Sequence, residues 1–266
     1  IRFESVRTMI RPLTQSQRSL SSVVSTISAS TELSGGDLEK IAVTGISTSS
    51  TDVEPGDLFC AFAGAKVHGA TFAKDAIKSG AVAVLTDEHG AKLIKGLPIL
   101  IVTNPRKSAG ILSSWFYGEP MRDLFSIGIT GTNGKTPVST LCHQIFQSAG
   151  QETGLIGTVE TRIGTEVLSS TRTTPEATEL QSLVATMRER HCRNLVMEVS
   201  SHAIALERIR GSHFAVVAFT NLSQDHLDFH KTMEAYFATK AKLFTFEFAD
   251  LAVINIDDAY GLKLKE

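Results

Sequence analysis

Cysteine is scarce in this 266-residue chain: Cys60, Cys142 and Cys192 are far apart, odd in number and set among apolar residues. That pattern excludes a disulfide framework and the paired spacing of a structural zinc site, and it fits a reducing cytoplasm. A surplus of one charge is lacking too, since 26 Lys and Arg against 28 Asp and Glu leave a formal net charge of -2. Nothing in that balance advertises nucleic acid or an acidic membrane surface. No apolar run approaches the roughly 20 residues of a membrane span. The N-terminal stretch is rich in Ser and Thr and broken by Arg, so it has no apolar signal core. One further absence is local. The segment Gly131-Thr-Asn-Gly-Lys-Thr136 lacks the glycine that a long phosphate-binding loop carries five positions before the Gly preceding Lys, because Ile129 stands there.

What is present is the shorter form, G-x-x-G-K-T, in the right local context. An apolar run at 124–129 reads as a buried strand, and a helical pattern at 135–149 follows the loop. Gly131 and Gly134 let the backbone approach phosphate oxygens, with Thr132 and Asn133 completing the turn. Lys135 adds charge, and the Thr136 hydroxyl can ligate Mg²⁺. The following helix carries Val138, Leu141, Cys142 and Ile145 on one expected apolar face, and Gly150 stops it.

The rest of the chain alternates strands and helices. Residues 1–35 read as a loosely ordered or partly packed leader, from the Ser/Thr-rich run 19–31 and the turn Gly35-Gly36. Residues 36–120 read as a first α/β domain. Its strands are expected at 41–47, 57–63, 81–85 and 98–102, and its helices at 71–79, at a short stretch between the last two strands, and at 106–117. Residues 121–266 read as a second domain with strands at 154–159, 194–199, 214–219 and 251–256 and a polar hairpin at 160–170. Thr173-Thr-Pro-Glu176 reads as a helix start, with Thr174 as N-cap and Pro175 in the first turn. Short turns between alternating elements imply a mostly parallel, doubly wound sheet.

Three clusters fall where such a sheet puts its ligands, at the carboxyl ends of strands. Glu198 closes an apolar strand just before Ser200-Ser-His202. A carboxylate there must be paired, bind metal or reach solvent, and beside a nucleotide it is a natural Mg²⁺ ligand. His226 and His230 follow the strand ending near Thr220 at i, i+4 spacing, but the intervening Leu-Asp-Phe does not make a zinc-protease helix. Lys240 lies on a helix at 233–244, with Tyr236, Phe237, Leu243 and Phe244 three and four positions away, so its side chain emerges from an apolar stripe. Such a lysine either snorkels to water or has its pKa lowered toward a neutral amine, which can act as a nucleophile or take up CO₂.

Taken together, Thr130-Gly-Thr-Asn-Gly-Lys-Thr136, Thr173-Thr-Pro175, Glu198-Val-Ser-Ser-His202, Asn221-Leu-Ser-x-Asp-His-Leu-Asp228 and Tyr236-x-x-x-Lys240 resemble the Mur ligases, and among them the type that adds the third residue of the peptide. The resemblance runs from about residue 43 onward. It implies an N-terminal UDP-sugar-binding domain followed by an incomplete phosphate-loop ATPase domain. It also implies an ATP-dependent, ADP-forming ligase of peptidoglycan precursor synthesis. That enzyme would phosphorylate the D-glutamyl carboxylate of UDP-MurNAc-L-Ala-D-Glu and join it to a diamino acid, L-lysine or meso-diaminopimelate. By resemblance, Lys135, Glu198, His226 and Lys240 are catalytic. Thr136, Glu198, His226 and Lys240, the last as a CO₂-derived carbamate, hold Mg²⁺.

Substrate contacts implied in the same way are Ser50, Ala65, Lys66 and Val67 in the first domain, and Thr173, Thr174, Ser200 and Arg208 in the second. The expected protein is a cytoplasmic monomer with no nucleic-acid partner and no membrane insertion. Family members carry a third domain that binds the incoming amino acid, so the 266 residues alone are expected to be catalytically incompetent. Other Mur ligases and folylpolyglutamate synthetase share the loop and metal residues, but the folate enzyme starts almost directly with its ATPase domain. A non-catalytic nucleotide-binding module would need neither Glu198 nor Lys240.

Overall fold

Two separate parallel sheets organise the chain. The computed structural model describes residues 9–14, 16–64, 66–170 and 172–266. It divides into one unit of Ile1–Gly118 with Ala177–Leu183 and another of Glu119–Glu176 with Val184–Glu266. Among the described residues no helix is long and apolar enough to cross a membrane.

In the first unit, β1 (Arg18–Ser19) and β2 (Ala42–Val43) form a short antiparallel pair. A parallel sheet follows, ordered β3 (Gly45–Ser47), β4 (Asp57–Cys60), β5 (Ala83–Thr86), β6 (Ile99–Ile101). All residues of β4 and β5 are buried, as strands covered on both faces must be, and the one charged member, Asp57, pairs with Arg11 at 2.8 Å. The helices are α1 (Leu20–Ile27), α2 (Gly35–Lys40), α3 (Ala73–Lys78), α4 (Glu88–Ala91) and α5 (Pro105–Phe116). Ala73 and Ala76 of α3 pack on Phe59 and Val84. The expected leader is folded from Arg18 onward: Ser19 caps α1, whose Leu20 and Val23 are fully buried. The serine-rich composition of this stretch hides a helical spacing of apolar residues, Leu20, Val23 and Val24, large enough to anchor it.

Among the described residues the second unit has a seven-stranded sheet, ordered β10 (Glu166–Ser169), β9 (Glu160–Ile163), β8 (Thr153–Ile156), β11 (Asn194–Glu198), β7 (Phe125–Thr130), β12 (Phe214–Phe219), β13 (Ala249–Ile254). From β8 to β13 every pair is parallel, and the β9–β10 hairpin adds an antiparallel edge. The central β7 is flanked by β11 on one side and β12 on the other. The chain leaves β7 toward the β11 side and returns only later to the β12 side, so the switch point where ligands bind lies at the carboxyl ends of β7, β11 and β12. The helices are α6 (Lys135–Ser148), α7 (Ala177–Glu189), α8 (Ser201–Ala205), α9 (Leu227–His230), α10 (Met233–Ala241) and α11 (Ala259–Lys265).

The buried residues of α6 are Ser139 and His143, flanked by Val138, Cys142 and Phe146 packed on Ile129, Leu155 and Val196. Leu141 and Ile145 are 58% and 66% exposed. The covered arc is rotated toward the small Ser139 and the compact His143, side chains that hydropathy alone reads as outward. The helix after Pro175 begins at Ala177, so Pro175 precedes it and Thr174 does not cap it. The Thr174 hydroxyl is engaged at the end of β11 instead.

Candidate active site

The loop after β7 needs its glycines. Gly131 has φ +150° and Gly134 φ +84°, and a Cβ on Gly131 would lie 1.9 Å from Thr220 Oγ1. That crowding has a purpose, because the end of β12 braces the loop. Thr132 N–H donates to the Asn221 carbonyl at 2.9 Å, and Asn133 N–H to Asn221 Oδ1 at 3.0 Å. Asn221 Nδ2 and Thr220 Oγ1 both donate to the Asn133 carbonyl, at 3.1 and 2.6 Å. Two loop N–H groups are thereby spent on the brace. The first-turn N–H groups of α6 at Lys135 and Thr136, with that of its cap Gly134, have no acceptor within the helix and are the donors left for an anion. Pro137 stands at the third helical position, where no intrahelical bond is lost.

Two lysines converge on this loop. Lys135 Nζ donates to the carbonyls of Gly131 and Thr132 at 3.0 and 2.9 Å. Lys240 Nζ, carried by α10, donates to the same Gly131 carbonyl at 2.9 Å and to Thr130 Oγ1 at 3.3 Å. Lys240 is 1% exposed, and its nitrogen lies 4.9 Å from the Tyr236 ring centre. Of the two outcomes open to it, it takes the buried one. Burial, then the charge of Lys135, lowers its pKa to about 7, against an opposing pull from Asp225. Burial lowers Lys135 as well, with Glu198 and Asp225 working the other way.

Glu198 ends β11 with 1% exposure. Its Oε1 accepts the Thr158 N–H at 3.1 Å and its Oε2 the Thr158 hydroxyl at 2.9 Å. The Thr158 hydroxyl lies 3.0 Å from that of Thr173. Thr174 Oγ1 donates to the Glu198 carbonyl at 2.9 Å and accepts the Ser200 N–H at 3.2 Å, which ties the loop before α7 to the end of β11. The Ser200 side chain caps α8. Arg208 pairs with Glu176 at 2.9 Å and reaches the Thr174 carbonyl at 3.5 Å. Thr173, Thr174, Ser200 and Arg208 are thus brought together with Glu198.

His226 is placed differently. It has a left-handed backbone, φ +52°, and its ring packs edge-on against His202 at 4.7 Å, with Asp225 3.4 Å from Nε2. His230, Phe229 and Tyr236 complete a ring cluster in which burial lowers the pKa of His202 and His230. Among the described residues, no three His, Cys, Asp or Glu side chains converge into a metal cage. Such a sparse donor set suits Mg²⁺, which keeps several waters and shares phosphate oxygens, far better than a closed zinc site. The Glu198 carboxylate has lone pairs beyond the two it uses, and the Thr136 hydroxyl sits in the first turn of α6.

In the first unit, Ser50 and the pair Lys66, Val67 follow neighbouring strands β3 and β4. Lys66 is exposed and Val67 54% exposed, and the Val67 carbonyl accepts the Gly64 N–H at 3.0 Å. Ala65 lies outside the described residues. The residues that sequence reasoning missed are Thr158, Glu176, Thr220, Asn221 and Asp225. Asn221 and Asp225 stand inside the motif at 221–228, and their position right after a buried strand was the available signal.

Residues 129–266 match the Mur ligase middle domain, and residues 42–109 match the Mur ligase family catalytic domain. The UDP-N-acetylmuramoyl-L-alanyl-D-glutamate–2,6-diaminopimelate ligase of Streptomyces avermitilis is 52% identical over 226 residues, which are 84% of this chain and 44% of that protein. Its namesake in Aquifex aeolicus is 44% identical over 222 residues, covering 84% and 45%. A solved structure bearing the same enzyme name superposes with a TM-score of 0.76 at 27% identity, over 94% of this chain and 49% of that one. This chain therefore spans less than half the length of these relatives. With the family match covering the whole region that builds the site, the chain belongs to the Mur ligase family.

Proposed function

We propose that this chain carries the nucleotide- and acceptor-binding parts of an ATP-dependent, ADP-forming amide ligase of peptidoglycan precursor synthesis, working in the cytoplasm. The acceptor is UDP-MurNAc-L-Ala-D-Glu and the incoming amine belongs to a diamino acid. The names of the relatives at 52% and 44% identity favour 2,6-diaminopimelate over lysine. The single observation that carries the reading is the convergence of Lys135 and Lys240 on the Gly131 carbonyl, at the end of the strand flanked by the one that presents Glu198.

The chemical problem is to bring a carboxylate up to a triphosphate. Attack of the D-glutamyl carboxylate oxygen on the γ-phosphorus breaks the bond to ADP and leaves an acyl phosphate. The neutral amine then adds to that carbonyl, and the tetrahedral species expels phosphate and loses a proton to give the amide. Both steps need concentrated positive charge where oxyanions develop. Lys135 supplies it by exchanging loop carbonyls for phosphate oxygens, and the first-turn N–H groups of α6 add donors. Thr136 and Glu198, with His226 approaching from its own loop, would hold Mg²⁺, which offsets the charge of the phosphates when bound. Thr173, Thr174, Ser200 and Arg208 orient the acceptor peptide beside Glu198. In the first unit, Ser50 and Ala65, Lys66 and Val67 take the UDP end.

Lys240 is the candidate for carbamylation. Its amine titrates near 7, so a neutral nitrogen is available to add CO₂ and release a proton. A carbamate oxygen cannot face the Gly131 carbonyl, so modification requires this side chain to leave that acceptor. Intact-mass measurement of the protein in bicarbonate, with Lys240→Arg as control, tests that step.

The reading as a whole is tested by titrating the chain with a fluorescent ATP analogue with and without Mg²⁺. Binding is expected to tighten with Mg²⁺ and to fall by about 10- to 100-fold in Lys135→Ala, as for loss of a charge-assisted contact to phosphate. Binding that ignores both the cation and the lysine would overturn it.

A further inference from the structure

We propose that Thr158 is a positioning residue that sets the Glu198 carboxylate for a divalent cation and links that setting to the acceptor side of the site. The inference rests on the ligase reading above. Thr158 stands in the loop between β8 and β9. Its N–H holds one carboxylate oxygen of Glu198 and its hydroxyl holds the other, so the plane of the carboxylate is determined by a single residue.

The loop offering these donors is itself pinned. Gly157 N–H donates to the Glu160 carbonyl at 3.1 Å, and Ser170 Oγ donates to the Gly157 carbonyl at 2.8 Å. Gly157 also makes the approach possible, because a Cβ there would lie 2.6 Å from Glu198 Oε1.

A hydroxyl has one proton to give. Since the Thr158 proton goes to Glu198, its 3.0 Å contact with Thr173 is one in which Thr173 donates. The bonds therefore run in one direction, from the Thr173 hydroxyl to the Thr158 hydroxyl to the Glu198 carboxylate. Hydrogen bonds in such a chain strengthen one another. An acceptor-substrate oxygen that takes the Thr173 proton removes that support from Thr158 and loosens its hold on the Glu198 carboxylate, so the Mg²⁺ requirement rises. Nothing in nucleotide binding alone requires this connection; it makes cation affinity depend on whether the acceptor is in place.

The test is a Mg²⁺ titration of fluorescent ATP-analogue binding by the chain and its Thr158→Val and Thr158→Ser variants, each with and without UDP-MurNAc-L-Ala-D-Glu. Partners behind a metal ligand typically change metal affinity by 10- to 100-fold, so Thr158→Val is expected to raise the Mg²⁺ needed for half-saturation about tenfold and to leave Mg²⁺-free nucleotide affinity within about twofold. Thr158→Ser keeps the hydroxyl and is expected to behave as the parent. The acceptor is expected to shift the Mg²⁺ requirement of the parent and of Thr158→Ser but not that of Thr158→Val.

An unchanged Mg²⁺ requirement in Thr158→Val overturns the positioning role, as does a Thr158→Ser defect equal to that of Thr158→Val. Loss of Mg²⁺-free binding in Thr158→Val overturns it too, by showing a general structural role. A parent that ignores the acceptor overturns the link to Thr173. If the parent shows no Mg²⁺-dependent nucleotide binding at all, the ligase reading fails and this inference with it; a normal parent with a silent Thr158→Val sinks only this inference.

Discussion

The loop after β7 and the loops after β3 and β4 stand at equivalent places, the carboxyl ends of parallel strands, and they are built in opposite ways. In the second unit the turn 131–136 is clamped by Thr220 and Asn221, and its Lys135, like Lys240 from α10, is held on the Gly131 carbonyl. In the first unit the loop after β3 is held by Ser47 with Ser49, Ser49 with Thr51 and one long-range bond, from Arg11 to the Asp52 carbonyl at 3.0 Å, while the turn after β4 is closed only locally, Gly64 with Val67, and Lys66 projects into solvent. Recognition of a polyphosphate requires charges already desolvated and aimed, since organising them at the moment of binding would consume the gain. The first-unit loops, proposed to meet a sugar or a base, can order themselves on contact.

The sharpest way to break this comparison is at Gly131. Gly131→Ala puts a Cβ on Thr220 Oγ1 at a φ that L-residues avoid, and is expected to abolish ATP-analogue binding in a titration while the first unit stays folded. If binding survives, the loop is more pliant than its brace implies.

Lys240 should leave a pH signature in stability. Its folded pKa, about 7, lies below the unfolded value of 10.5, so the unfolded chain binds more protons between those limits. Its contribution to stability is full above 10.5, declines as pH falls through that window at up to about 1.4 kcal/mol per pH unit, and is flat below 7. Urea midpoints at pH 7, 8 and 9 should therefore rise more in the parent than in Lys240→Met, and parallel curves would refute the burial of its charge.

Asn221→Ala removes two bonds of the brace and leaves the Asn133 peptide poorly held, which is expected to weaken nucleotide affinity by about tenfold, near 1–2 kcal/mol. The smallest effect is expected at Ser50→Ala with Lys66→Ala. Stability should stay within about 0.5 kcal/mol and nucleotide affinity should not move, with weaker binding of the UDP-sugar as the only change. A large loss of stability would show that the first-unit loops are as preorganised as the phosphate loop.

Legibility follows the same divide between backbone pattern and side-chain environment. Strands β11 and β12 could be read because continuous apolar runs bounded by turn residues leave one solution, and Lys240 because a cation inside an apolar stripe is conspicuous. The rotation of α6 could not, since Ser139 and His143 face the sheet by virtue of size and not hydropathy. Thr174 looked like a cap because capping is the commonest local use of such a residue, and only the proximity of β11 gives its hydroxyl a better acceptor. The pairing of Thr158 with Glu198 joins segments 40 residues apart in sequence, to which local pattern is blind.

The carbonyl of Gly131 already holds both lysine side chains, and that contact sets a threshold for any anion that would take their place. A guest must outcompete a dipole already engaged by the Lys135 ammonium, and a single remote phosphate offers little advantage over it, whereas a di- or triphosphate chain reaches Lys135 and the first-turn N–H groups of α6 together. Displacement titrations with AMP, ADP and ATP should accordingly separate by phosphate count far more than by any property of the base, and equal affinities would show that the lysines exert no such gate.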